Sequence, residues 1–206
     1  MANVSRIRGL KPVKNGDGTP WVGSVERFTA LSSGSSIFIG DMVSFPATKV
    51  ADADGNPVIV PVIDMVSGPV LGVCVGVGFN PNNLNIDGSF KASATTLNRY
   101  IYVDVNPRTV YEIQADSAMD FADVGYYATA VSTNTGSVTT GLSGVELDAS
   151  SIIAASTSTD RLLRIVGFST AADNEVSNAS PKVLVMLNTA QHQRGLTGTF
   201  GSAPGA

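Results

Sequence analysis

Apolar positions in this chain fall in short runs with a two-residue rhythm, the signature of strands with one face against a core. Arg99-Tyr100-Ile101-Tyr102-Val103-Asp104-Val105 alternates large and small side chains. Asn106-Pro107-Arg108 is a turn, and Thr109-Val110-Tyr111-Glu112-Ile113-Gln114 runs on from it, so 99–114 predicts a hairpin. The densest strand signal is Val70 to Phe79, whose glycines at 72, 76 and 78 predict bulges or close backbone approach. Trp21 to Ala30, Ile37 to Ile39, Met42 to Phe45, Tyr126 to Val131, Leu162 to Phe168 and Val183 to Asn188 read as further strands. Val58 to Ile63 follows the turn Asp52 to Pro57, and Pro57 and Pro61 suit an edge or irregular strand. Ser132 to Asp148 is rich in Ser, Thr and Gly and reads as a hairpin or a mobile surface loop. Ser117 to Val124 is the one place that predicts a short helix, with Ser117 as N-cap and Asp120 at the capping-box position.

The two flanks lack this rhythm. Residues 1–20 contain Gly9, Pro12, Gly16, Gly18 and Pro20 and predict an extended N-terminal arm. Residues 191–206 are rich in Gly, Ala and Thr and predict a flexible C-terminal tail. Between them, 21–190 forms a β-rich body, one domain or two closely packed β subdomains. Many short strands with closely spaced turns predict an all-β fold: an antiparallel sandwich, a jelly roll or a barrel.

Composition narrows the functional classes. Only 15% of the 206 residues are charged, too few for long helices. Cys74 is the single cysteine, so packing and not a disulfide must hold the fold; its place in the apolar run 70–75 predicts a buried, inert thiol. Residues 1–14 carry charge without the apolar stretch of a secretory signal, and no apolar run approaches membrane-span length. A soluble protein made in a cytoplasm is the expectation. The net charge of −4 is uneven: residues 1–27 carry +3, 28–160 carry −9 and 161–206 carry +2. A basic arm on an acidic body predicts a strap that reaches for an acidic surface, and an acidic body makes nucleic acid a poor partner.

Catalytic constellations are weak. His192 is the only histidine and lies in the polar tail, so neither a histidine base nor a zinc site is expected. Asp52-Ala53-Asp54-Gly55-Asn56 opens like an acidic calcium loop, but Pro57 and Ile63 occupy positions that need Gly and Glu, which leaves an ordinary turn. The glycines at 72, 76 and 78 are out of register for a dinucleotide loop. Two carboxylate pairs, Asp104 with Glu112 and Glu146 with Asp148, have the chemistry for glycoside hydrolysis, yet acidic side chains on a hairpin face are commonplace. Asn178-Ala179-Ser180 matches a glycosylation acceptor but is followed by Pro181. No catalytic residue, cofactor or metal is expected.

Several stretches carry a resemblance: residues 1–14, Gly72-Val73-Cys74-Val75-Gly76-Val77, Arg99 to Pro107, Thr140 to Asp148, and Leu163-Arg164-Ile165-Val166-Gly167-Phe168 with Asp173-Asn174-Glu175. Together these resemble the auxiliary capsid proteins of tailed bacteriophages, the cement or decoration proteins. The resemblance implies a β-rich virion module, not an enzyme, that sits on the capsid exterior and binds the major capsid protein across subunit junctions. It also implies a homo-oligomer, a trimer in preference to a dimer, with no membrane or nucleic-acid partner. The capsid-binding residues expected on the arm are Arg6, Arg8, Lys11 and Lys14, with Trp21 anchoring its root or packing as a core residue. The alternatives are a receptor- or glycan-binding virion module, for which Tyr126-Tyr127 is the visible candidate, and another minor virion structural component.

Overall fold

The computed structural model describes residues 3–31, 34–46, 51–52, 55–62, 68–78, 90–93, 98–132, 136–154 and 161–188. Among these the chain is all-β, and its only helical element is one 3-10 turn. In chain order the strands are β1 (Lys11–Asn15), β2 (Val25–Ala30), β3 (Ile37–Phe38), β4 (Met42–Ser44), β5 (Val60–Pro61), β6 (Gly72–Val77) and β7 (Phe90–Lys91). Then follow β8 (Arg99–Asp104), β9 (Thr109–Gln114), β10 (Tyr127–Ser132), β11 (Val145–Ile153), β12 (Leu163–Phe168) and β13 (Lys182–Leu187).

They build a six-stranded sheet in the order β1-β9-β13-β12-β10-β11, a five-stranded sheet in the order β2-β8-β6-β4-β5, and the small pair β3-β7. Pairing within the sheets is antiparallel throughout. Neither large sheet closes into a barrel. The six-stranded one curls strongly, because Ala115 bridges Leu147 in parallel and the Asp116 amide donates to the Leu147 carbonyl at 3.0 Å.

Alternation fixes which side chains go inward. Tyr111 and Ile113 of β9, Val183, Val185 and Leu187 of β13, Leu163 and Ile165 of β12, and Val145 and Leu147 of β11 all enter one core. Met42 and Val73 of the other sheet join them, so this core is shared by the two sheets. A second core lies on the opposite side of the five-stranded sheet, around Phe28, Val43, Cys74, Ile101 and Val103. Strand β6 runs through the centre of that sheet, and Gly72 explains how it fits. A Cβ at Gly72 would lie 2.1 Å from the Asp104 carbonyl oxygen of β8, so only glycine lets the two backbones meet. A bulge follows between Cys74 and Gly76, as the glycine spacing predicts.

The hairpin expected over 99–114 does not form. The turn is present, with the Thr109 amide on the Asn106 carbonyl at 3.1 Å, but β8 joins the five-stranded sheet and β9 the six-stranded one. The chain changes sheets here because Asp104 is turned inward. Its fully buried carboxyl accepts the Asn106 amide at 3.0 Å and the Trp21 indole N–H at 2.8 Å, holding a corner where a hairpin would continue.

The helix expected from Ser117 is also shorter and differently capped. It is a 3-10 turn over Phe121–Asp123 whose N-cap is Asp120, in a capping box with Asp123. Met119 is drawn into the core and its amide donates to the Val176 carbonyl, which keeps residues 117–119 out of the helix. Of the turn expected over 52–57, residues 53 and 54 lie outside the described residues, and the Asp52 carboxylate accepts from Asn56 and Thr29. Of the stretch 132–148, β10 and β11 form a hairpin, and residues 141–143 of its connection dock on Ile39, between β3 and β4.

Candidate interaction surface

Residues 3–15 are extended and lie on the body of their own chain. The Asn3 side chain donates to the carbonyls of Glu175 and Ala179 at 2.7 and 2.9 Å and accepts the Glu175 amide at 2.7 Å. The Arg6 amide donates to Gln114 Oε1 at 2.6 Å, and Gln114 in turn donates to Glu146 Oε1 at 2.9 Å. Arg8 forms an ion pair with Glu112 at 2.5 Å, and Glu112 also accepts the Ser169 hydroxyl at 2.8 Å. The segment thus crosses the seam where β11 approaches β9. Gly9, at φ +66°, passes so close to Gly40 that a Cβ would lie 2.5 Å from the Gly40 carbonyl oxygen. Leu10 then enters the shared core, and β1 pairs with β9.

The five residues expected to bind a partner are therefore separated by this arrangement. Arg6 and Lys11 are exposed. The Arg8 charge is matched by Glu112, and Lys14 is half-buried. Trp21 is half-buried and hydrogen-bonded to Asp104, which makes it a buttress of the corner between the sheets.

Carboxylates do not gather for acid–base chemistry among the described residues. Asp104 faces the interior of one sheet and Glu112 the outer face of the other. Glu146 is bound to Gln114, and Asp148 to the amide and hydroxyl of Ser150. No group of three or more His, Cys, Asp or Glu side chains suits a metal ion among these residues. Asp41 is nearly buried, accepts from the Ser143 hydroxyl at 2.5 Å and the Phe38 amide at 2.8 Å, and is raised above its ordinary pKa by desolvation. Burial pushes the Cys74 thiol up to about 12, with the nearby Asp41 charge adding to the effect. His192 lies outside the described residues, as does the whole tail.

What the surface does carry is large apolar side chains in solvent, and most of them fall at two ends. Strand β9 runs from one end to the other, about 20 Å for six residues. At its start lie Val13, Val22 and Val25, with Val22 89% exposed. At its far end lie Phe121, Val124 and Tyr126, with Phe121 72% exposed and its ring edge-on to Phe168 at 5.5 Å. The capping box fixes Phe121 in this position: Asp120 accepts the Ala122 amide at 2.9 Å, and Asp123 accepts the Asp120 amide at 2.8 Å. Tyr126, half of the Tyr126-Tyr127 candidate, is exposed here, whereas the Tyr127 ring lies under the Arg164 guanidinium at 5.9 Å. Sequence reasoning missed Val22, Phe121 and Val124, although a phenylalanine within the polar stretch 116–123 was a visible signal.

Among the described residues the chain is all-β, with exposed apolar side chains gathered at two ends. Comparison with protein-family models, with curated proteins and with solved structures found no match.

Proposed function

We propose that this chain is a structural protein of the bacteriophage virion, of the cement or decoration kind. In this reading it binds the outer surface of the major capsid protein shell as a homo-oligomer and stabilises subunit junctions by contact, without catalysis. Its two sheets act as the leaves of a sandwich around their shared core. Residues 3–15 serve as a docked strap that presents Arg6 and Lys11 to the neighbouring surface, and 191–206 as a tail. It is made in the bacterial cytoplasm and resides on the capsid exterior.

The observation that supports this most is the exposure of the large apolar side chains Val22, Phe121, Val124 and Tyr126. Large apolar side chains held in solvent are the anchors of protein–protein contacts, and repetition over a shell multiplies weak contacts. The resemblance described above adds the capsid as the partner.

The test is cryo-electron microscopy of matched capsids that lack this protein, incubated with the purified chain. Regular density over subunit junctions is expected, weakened by Arg6→Glu together with Lys11→Glu. These are cleaner than deleting residues 1–14, which would remove Leu10 from the core. Bare capsids at saturating protein would sink the reading. Glycan-array binding through Tyr126 would favour the receptor-binding alternative.

A further inference from the structure

Asn15-Gly16 is the only Asn-Gly pair in the chain, and it stands at the end of β1, where the strap closes. The pair is chemically labile on elementary grounds. The backbone nitrogen after an asparagine can attack that residue's own side-chain carbonyl carbon, and a following glycine has no Cβ to obstruct the approach. The new N–C bond closes a five-membered imide, and the side-chain nitrogen departs as ammonia. Water then opens the imide at either carbonyl, which leaves aspartate or isoaspartate. No enzyme, oxidant or metal is needed.

The fold ties down both groups of this reaction. The Gly16 amide, the nucleophile, donates to the Arg108 carbonyl at 2.7 Å. The Asn15 carboxamide, the electrophile, donates to Thr19 Oγ1 at 3.0 Å and to the Pro20 carbonyl at 3.4 Å, and accepts from Asn106 Nδ2 at 3.2 Å. The backbone around them is closed as well. The Asn15 amide donates to the Thr19 carbonyl at 2.8 Å, and the Gly18 amide to the Asn15 carbonyl at 2.9 Å. Across the sheet, Asn15 pairs with Thr109 at the start of β9. Residues 16–20 are exposed, so water reaches the turn and burial does not protect it.

The products do not fit the place that asparagine leaves. Aspartate at 15 sets a carboxylate oxygen against Thr19 Oγ1, whose proton already goes to Asp17 at 2.6 Å, and against the Pro20 carbonyl. Isoaspartate adds a methylene to the main chain, which breaks the register that holds Asn15 to Thr109 and Gly16 to Arg108.

We propose that Asn15 is a site of spontaneous deamidation that the fold keeps shut. Reaction requires the end of β1 to lift from Thr109 and Arg108, and the modified chain does not seat there again. The rate therefore follows the population of the opened form, and each reaction releases the end of the strap for good. This inference stands apart from the capsid reading, and its test needs no partner.

The experiment is incubation of the full chain in mildly alkaline buffer, with deamidation at Asn15 followed by mass spectrometry of its peptides. One sample is kept folded and a second is held in denaturing urea. The folded chain is expected to react at least about tenfold more slowly than the unfolded one. Thr19→Val removes an acceptor of the Asn15 carboxamide at an exposed position. It is expected to raise the folded rate several-fold with the urea midpoint unchanged, because the restraint is local. Chain modified at Asn15 in urea, refolded and separated by its added negative charge, is expected to lose hydrogen-exchange protection at the amides of residues 15, 16 and 18. Equal rates in the folded and unfolded chain would overturn the proposal, as would a Thr19→Val rate equal to that of wild type. Wild-type protection of those three amides in the modified chain would overturn it too.

Discussion

Replacing Leu10 with alanine asks whether the N-terminal segment is an appendage or part of the fold. Leu10 is 1% exposed and packs in the core shared by both sheets. Removing its branched end deletes buried apolar atoms and leaves a space that the flanking backbone cannot fill. Gly9 is already pressed on Gly40, and the Leu10 amide is fixed to the Gly40 carbonyl at 3.0 Å. Buried leucine-to-alanine changes cost about 2–5 kcal/mol, and this constraint places Leu10→Ala near the middle, at about 3 kcal/mol. For a chain of this size that lowers the melting temperature by about 6–12 °C. The assay is urea unfolding followed by fluorescence of Trp21, the only tryptophan, with Val4→Ala as a half-exposed control expected to cost about 0.5 kcal/mol or less. The midpoint should fall with the slope unchanged. A Leu10→Ala loss no larger than that of the control would refute the docking of residues 3–15 on the body, and the segment would then be an arm after all.

Gly72→Ala should be among the most damaging single changes, since its Cβ would meet the Asp104 backbone oxygen at 2.1 Å in the middle of a sheet; thermal unfolding should show a loss above about 3 kcal/mol or no folded protein. Cys74 should resist thiol reagents in the native state: a pKa of about 12 against 9.0 leaves about 1000-fold less thiolate near pH 8 before burial is counted, and labelling should proceed only as fast as the protein opens. Asp41 should give a defined pH signature. Its folded pKa is raised above 3.8, so the folded state holds the proton more tightly, and stability relative to Asp41→Asn falls as pH rises from about 3.8 through the raised value. Urea titrations of both proteins across that range measure the difference, and a gap that widens in favour of wild type with rising pH would contradict it.

Where a strand's own residues decide its fate, the sequence is informative. Gly72-Val73-Cys74-Val75-Gly76-Val77, Lys182 to Leu187 and Leu163 to Phe168 are strands because β-branched and apolar residues alternate there, and each is found within a residue or two of its expected limits. The corner at Asn106-Pro107-Arg108 was not legible, because its turn chemistry suits a hairpin equally well. What sends β8 and β9 to different sheets is Trp21 reaching Asp104 across 83 positions of chain. The docking of the N-terminal segment was not legible for the same reason. Its partners are polar side chains and carbonyls at 112, 114, 175 and 179, which leave no apolar period in residues 3–9. Of the candidate site, the basic residues could be named from composition. Which of them stay in solvent, and where Val22 and Phe121 stand relative to them, depends on the completed fold.

The strap has a consequence for the order of events as the chain is made. Residues 3–8 are made well before the groups that receive them, which lie more than 100 positions later, at 112 and 114 and, for Asn3, between 175 and 179. Contacts of such long range close slowly, so this segment settles late. Until then the curl of the six-stranded sheet stands unsealed. A chain halted before residue 175 would leave Asn3 without its partners, however complete the strands between.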